Sequence, residues 1–180
     1  LKELTSEDSV YYILVSLNSS GLSSDAPRPP IHLVLVLDRS GSMAGEKLAL
    51  TKEAGCRFIN MLTRRDFAAV VAFDTETELI CPHTPLTDKK HISDALEGID
   101  DRSSTNLSGG WMMGLNECMQ NYTPGHLHYL VLLTDGEANV GVTAPNKLLQ
   151  IGKNFLQKGI KTTTIGFGSS FNEELLKEIA

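Results

Sequence analysis

Apolar and polar residues follow one another along this chain in blocks that favour strands and helices in turn. Three short blocks are almost wholly apolar, as is typical of parallel strands buried on both faces: residues 31–37, 67–73 and 127–134. Residues 160–167 are rich in β-branched residues and are also predicted to be a strand. Between and after them, apolar residues recur at intervals of three and four, which predicts helices over residues 44–62, 92–99 and 107–122, from Thr143 to Gly159, and after Asn172. Alternation of this kind predicts an α/β fold.

One strand of the predicted sheet is expected to run against the others. The polar segment 74–76 is too short for a crossover helix, so residues 77–81 are predicted to return beside strand 67–73 as an antiparallel edge strand. The resulting architecture is a Rossmann-like, doubly wound, mostly parallel sheet with helices on both faces.

The first 30 residues follow a different pattern. Val10 to Leu17 is rich in β-branched and aromatic residues and is predicted to be a strand, whereas residues 18–30 are rich in Ser and Pro and are predicted to be a linker. We therefore predict two regions: residues 1–30, an N-terminal strand and linker that could belong to a flanking β module, and residues 31–180, the main domain.

Composition narrows the classes of function. The chain has 180 residues, 41% of them hydrophobic, and a formal net charge of −6. That charge disfavours nucleic acid as a partner, and no apolar run reaches the roughly 18–20 residues of a membrane span. Cys56 and Cys118 fall in helical patterns and are predicted to be core residues, not disulfide partners.

A group of oxygen-bearing side chains follows the first apolar strand. In extended chain, alternate side chains point the same way, so Asp38, Ser40 and Ser42 are expected on one side and Arg39 on the other. One carboxylate and two hydroxyls are ligands that Mg²⁺ favours. A simple capping turn before a helix would use the same residue types.

Two further segments favour the metal-site interpretation. The strand that ends at Thr134 is followed by Asp135, and a Rossmann-like strand order places it beside the strand that ends in Asp38. Both acids are then at the carboxyl edge of the sheet, where ligands bind in open α/β folds. A third segment with hydroxyl side chains, 103–105, opens a helical pattern.

Together these segments resemble the von Willebrand factor A domain and its metal-ion-dependent adhesion site. The match lies in Asp38-Arg39-Ser40-Gly41-Ser42-Met43, Thr105 and Thr134-Asp135-Gly136, and it extends over residues 31–180. The chain has Ser103-Ser104 where many members carry glycines. The resemblance implies that Ser40, Ser42 and Thr105 bind metal directly, Thr105 when ligand is present, and that Asp38 and Asp135 act through water. It also implies one further strand and helix after residue 180.

The implied ligand set predicts the kind of partner. Neutral hydroxyls leave the charge of the metal poorly balanced, and the N-terminus of the following helix adds positive potential. We expect an Asp or Glu carboxylate from a partner protein to complete the coordination. Mg²⁺ is the expected ion, and Mn²⁺ or Ca²⁺ would suit the same oxygens. The resemblance therefore implies a non-enzymatic adhesion or ligand-binding module, and it leaves both the cell surface and the cytoplasm open as its location.

Two other functions fit parts of the pattern. A Mg²⁺-dependent hydrolase or phosphotransferase would use Asp38 as nucleophile, but it needs an acid or base nearby. His32, His126 and His128 begin their strands and are predicted to lie at the opposite end of the sheet. The other alternative is an intracellular adaptor that works with an ATPase, as some members of the family do.

Overall fold

A five-stranded sheet forms the centre of the molecule. A computed structural model describes residues 28–102, 104–135, 141–142, 144–168 and 171–180. The strands are β1 (Ile31–Asp38), β2 (Phe67–Phe73), β3 (Thr77–Pro85), β4 (Leu127–Thr134) and β5 (Ile160–Gly166). Their order is β3-β2-β1-β4-β5. Only the β2–β3 pair is antiparallel, so the predicted sheet and its antiparallel edge strand are confirmed.

Five α-helices connect and follow these strands within the described residues. They are α1 (Glu46–Met61), α2 (Lys89–Glu97), α3 (Leu107–Gln120), α4 (Pro145–Gln157) and α5 (Glu173–Ile179). α1 begins two residues later than predicted, because residues Gly41–Met43 form a 3₁₀ turn first. The predicted cap Asn172 accepts a hydrogen bond from the amide of Leu175, whereas the predicted cap Thr143 is outside the described residues.

The helices cover both faces of the sheet, as the pattern predicted. Alternate residues of β1 face opposite sides: Leu35 and Leu37 belong to the apolar cluster under α1 and α2, whereas Val34 and Val36 belong to the cluster under α3, α4 and α5. All four side chains are fully buried. Burial on both faces explains why the strand sequence is uniformly apolar.

α3 lies unusually close to the sheet. A Cβ atom added at Gly114 would be 2.5 Å from Val36 Cγ2 and 2.8 Å from Leu130 Cδ1, so only glycine fits there without movement. Trp111, Leu115 and Cys118 of the same helix are buried as predicted. Tyr122 was predicted to face the core and is instead 43% exposed, because α3 ends at Gln120, before this residue.

A buried carboxylate, Asp66, holds the chain in place at the start of β1. Arg28 forms a bidentate ion pair with Asp66, at 2.7 Å to Oδ1 and 2.6 Å to Oδ2. Asp66 also accepts hydrogen bonds from the amides of Ile31 and Thr63 and from the Thr63 hydroxyl. Burial acts to raise the pKa of Asp66, but these partners outweigh burial and hold the pKa well below its usual range.

The predicted division at residue 30 stays a prediction, since residues 1–27 lie outside the described part. Within that part, none of the helices combines the length and the apolar character that crossing a bilayer requires.

Candidate functional site

The two acids of the predicted metal site lie at neighbouring strand ends. β1 and β4 run parallel with Leu37 opposite Leu133, so Asp38 at the end of β1 is level with Thr134 at the end of β4. The Thr134 hydroxyl donates to Asp38 Oδ2 at 2.6 Å. Asp135 follows directly and is buried. The sheet therefore brings both acids to one edge, as the strand order predicted.

Asp38 is fully buried, and its charge is held by donors from two segments. Oδ1 accepts the amide of Ser40 at 2.9 Å, and Oδ2 accepts the hydroxyl of Thr134. Burial is the main cause that raises the pKa of Asp38, to about 6; the hydrogen bonds oppose it, and the charge of Asp135 adds to it. A buried carboxylate with a second one nearby favours a cation between or beside them.

The two serines of the motif differ in burial. Ser40 is buried, whereas Ser42 is exposed, and their hydroxyl oxygens are 3.2 Å apart. The 3₁₀ turn that sets this spacing is held in place by Met43, whose side chain is fully buried. Adjacent ligands of an octahedral Mg²⁺ ion, each at about 2.1 Å, are roughly 3 Å apart. The two hydroxyls have a spacing that suits one ion.

Thr105 lies on a loop that hydrogen bonds fasten to this edge. The amide of Arg102 donates to the carbonyl of Arg39, and the amide of Asn106 donates to the carbonyl of Asp74, both at 2.7 Å. Thr105 is 2% exposed. Ser103, where the sequence departs from the family pattern, is outside the described residues, and so is Gly136.

Arg39, predicted on the other side of the strand from Asp38, is buried in a structural ion pair. Its side chain is 3% exposed, and Nε donates to Asp74 Oδ2 at 2.6 Å. Nη2 is 2.8 Å from Glu78 Oε2, at ion-pair distance without hydrogen-bond alignment. Arg39 thus joins the acidic motif to the β2–β3 turn.

Lys47 also lies at this edge of the sheet, although no sequence motif includes it. This residue lies in the first turn of α1, and its Nζ is 3.0 Å from Asp135 Oδ2. No pattern in the local sequence shows that this lysine reaches the end of β4, 88 residues away along the chain.

The donor chemistry fits a hard divalent cation. Every predicted ligand offers oxygen, which Mg²⁺, Mn²⁺ and Ca²⁺ prefer. Among the residues that the structure describes, no three His, Cys, Asp or Glu side chains form a group that could hold a metal ion. Binding at this edge would therefore depend on the serine and threonine hydroxyls.

The same geometry disfavours Asp38 as a nucleophile. Both of its oxygens accept hydrogen bonds inside the protein, and the side chain has no exposed surface. His32 and His128 are paired in the register at the start of β1 and β4, some six residues from the acids, at about 3.3 Å per residue. They lie at the opposite end of the sheet, as predicted.

Comparisons with known proteins agree with this fold. The model of the von Willebrand factor type A domain matches residues 32–180. A similar curated protein is inter-alpha-trypsin inhibitor heavy chain H3 of Rattus norvegicus, 29% identical over 163 residues. That match covers 86% of this chain but 18% of the relative, so the chain spans about a fifth of the relative's length.

Two solved structures share the fold at low identity. BatB from Bacteroides thetaiotaomicron is 20% identical with a TM-score of 0.67, and the match covers 83% of this chain and 85% of BatB. Proximal thread matrix protein 1 of the mussel byssus, with zinc occupying its MIDAS motif, is 20% identical with a TM-score of 0.69, over 85% of this chain and 39% of the other. The family match covers most of the chain, and the chain belongs to the von Willebrand factor type A domain family.

Proposed function

We propose that this domain binds a protein partner through a divalent cation held at the carboxyl edge of the sheet. Domains of this family mediate protein–protein interaction and are generally non-catalytic. In the proposal, Ser40, Ser42 and Thr105 are the direct ligands, and Asp38 and Asp135 act through water. An Asp or Glu carboxylate of the partner completes the coordination.

The observation that carries the proposal is the pair of serine hydroxyls beside two buried acids. The oxygens of Ser40 and Ser42 are 3.2 Å apart, and the Ser40 amide is itself bonded to Asp38. A capping turn alone would not require burial of a carboxylate, which is costly without a cation or several donors. The turn does not cap α1 with a side chain: the N-cap is Gly45. The alternative interpretation as a capping turn is thereby weakened.

The preference for an acidic partner follows from charge and exposure. A bound cation would supply a positive centre that accepts one more oxygen ligand. Ser42 is exposed, so the site is open to solvent on the side of this residue. A carboxylate from another protein could approach there without any movement of the buried acids.

Mg²⁺ is the ion we propose first, because the ligands are hard oxygens and few of them are charged. Mn²⁺ and Ca²⁺ suit the same ligands. The zinc in the MIDAS motif of proximal thread matrix protein 1 is a property of that protein. Zinc is therefore a further ion worth testing for binding to this domain.

The test measures metal binding first and partner capture second. Calorimetry with Mg²⁺ and Mn²⁺ should detect one site in the wild type and none in Ser40→Ala or Asp135→Ala. Asp94→Ala is the matched control, because it removes an exposed acid on α2 whose ion pair with Lys90 contributes little. Circular dichroism establishes that each variant is folded.

The immobilised domain is then exposed to extract of the source cell with Mg²⁺ or with EDTA. Proteins retained only with Mg²⁺, and lost with Asp135→Ala, support the proposal. Metal binding unchanged by both substitutions, or an identical set of captured proteins with EDTA, would overturn it.

A further inference from the structure

Lys47 places a positive charge against one of the two acids of the proposed metal site. Its Nζ donates to Asp135 Oδ2 at 3.0 Å; the Lys47 side chain is 33% exposed and that of Asp135 is 4% exposed. The ion pair spans two segments 88 residues apart in sequence. The ion pair therefore joins α1 to the carboxyl edge of the sheet and is not a local pair along one helix.

The backbone leaves room for this side chain. A Cβ added at Gly168, which follows β5, would be 2.9 Å from Lys47 Cε and 3.4 Å from its Nζ. Gly168 has φ +89°, a conformation that suits glycine. The first turn of α1, the end of β4 and Gly168 after β5 thus enclose the path of Lys47 toward Asp135.

The Lys47–Asp135 ion pair changes the net charge of the proposed metal site. Asp38 and Asp135 together carry two negative charges when ionised, and Lys47 cancels one of them. A divalent cation then leaves the group with a net charge of plus one; without Lys47 the net charge would be zero. A lysine at this position therefore weakens the binding of the metal cation and strengthens the binding of an incoming anion.

We propose that Lys47 sets the selectivity of the site, lowering its affinity for the metal alone and raising the affinity of the metal-loaded site for a carboxylate. This inference rests on the proposed function, since it assumes that the edge binds a divalent cation. Lys47 acts through its charge and its hold on Asp135, so it is a positioning residue and not a metal ligand. In this arrangement the site retains metal firmly only when an acidic partner is present.

A purely structural ion pair would behave differently. If Lys47 only stabilised the fold, its loss would weaken the binding of metal and of carboxylate together, or leave both unchanged. The proposed role predicts opposite changes in the two affinities. That opposition is the readout that separates the two.

The experiment uses Mn²⁺ as the metal and acetyl-aspartate amide as the carboxylate, on the whole chain at pH 7.5. Calorimetry gives the affinity for Mn²⁺, and the relaxation rate of water protons at bound Mn²⁺ reports displacement of water by the carboxylate. In Lys47→Met we expect Mn²⁺ to bind on the order of tenfold more tightly, and the carboxylate several-fold more weakly. Lys47→Arg, which keeps the charge, should resemble the wild type in both.

Lys153→Met is the matched control, because Lys153 is an exposed lysine on α4. It should leave both affinities unchanged. Lys47→Gln, which removes the charge but keeps a polar end, replaces Lys47→Met if the latter unfolds. Equal or weaker Mn²⁺ binding in folded Lys47→Met or Lys47→Gln overturns this inference alone. Absence of Mn²⁺ binding in the wild type overturns both this inference and the proposed function.

Discussion

Arg39 Nε donates to Asp74 Oδ2 at 2.6 Å, and both side chains are almost wholly buried. The pair joins the strand end that carries the acidic motif to the turn between β2 and β3. The carbonyls of the same two residues accept the amides of Arg102 and Asn106, which hold the Thr105 loop. The ion pair and these two backbone hydrogen bonds together connect the end of β1, the β2–β3 turn and the Thr105 loop.

Replacing Arg39 should destabilise the domain through the charge left behind. Arg39→Met keeps much of the volume but leaves Asp74 buried without its guanidinium, and breaking such a pair costs about 3 kcal/mol. Urea unfolding at neutral pH measures this loss. Arg57→Met, which removes an exposed pair with Glu53 on α1, should cost less than about 0.5 kcal/mol. Equal losses in the two variants would contradict the role given to Arg39.

Asp74 allows the same interaction to be isolated. The double variant Arg39→Met/Asp74→Asn removes both charges, so it should be more stable than the sum of the two single losses implies. Additive losses would show that the two side chains act independently.

Much of the fold could be predicted because its signals are local. The apolar blocks of β2 and β4 match the observed strands residue for residue, since strands buried on both faces need no alternation. The acids Asp38 and Asp135 could be placed on one edge because strand order in this fold class follows from few rules. These are properties of the pattern and of the topology.

The features that escaped prediction depend on contacts between distant residues. Lys47 and Asp135 are 88 positions apart, and nothing in the local sequence shows that a helix lysine reaches a strand end. His83 lies on the edge strand β3, and its approach to His32 depends on the register of two strand pairs. Register and side-chain direction are set by packing, which the pattern of one segment does not contain.

The close approach of α3 to the sheet predicts an unusual effect of alanine. In an exposed helix interior, Gly→Ala stabilises by up to about 1 kcal/mol. At Gly114 the added methyl would meet Val36 and Leu130 at less than 3 Å, so we expect Gly114→Ala to destabilise by about 1–3 kcal/mol through overpacking. Thermal and urea unfolding measure the change.

Gly152 of α4 is the matched control for this prediction. A Cβ there would meet its nearest neighbours at 3.5 Å, which is ordinary contact, so Gly152→Ala should be neutral or stabilising. The contrast between two helical glycines tests packing separately from helix propensity. Stabilisation by both substitutions would show that α3 can move away from the sheet at little cost.

Four histidines meet at the end of the sheet opposite the acids. The nitrogens of His32 are each 2.8 Å from another ring: Nδ1 from His83 Nε2 and Nε2 from His126 Nδ1. The ring of His128 has its centroid 4.5 Å from that of His32. Burial, and then the charges of the other three histidines, lower the pKa of His32 to about 4. Burial also lowers the pKa of His83 and of His128.

The acidic groups near this cluster act in the other direction. The charge of Asp66 raises the pKa of His32, and the charge of Glu117 raises that of His83. Their effects are smaller than burial, so the pKa of both histidines stays below the ordinary value of 6.5. His32, His83 and His128 are therefore neutral in the folded protein at pH 7, and their protonation opposes folding.

The cluster should make the domain less stable in mild acid. Because the pKa of His32 is about 4 in the folded state and 6.5 is its ordinary value, the unfolded chain binds more protons between these values, and stability falls as pH decreases from about 6.5 to 4. His32→Phe, which can stack on Phe67 as His32 does, should remove about 2 kcal/mol of this fall. Urea unfolding in EDTA at several pH values measures how the free energy of unfolding depends on pH in the wild type and in His32→Phe.

Asp38 titrates in the same pH window with the opposite effect on stability, since its pKa is raised. Asp38 is present in both proteins, so its effect cancels in the difference between them. His91→Asn changes the number of histidines without touching the cluster, and its curve should follow the wild type. Parallel curves for His32→Phe and the wild type would mean that the four rings do not control stability in acid.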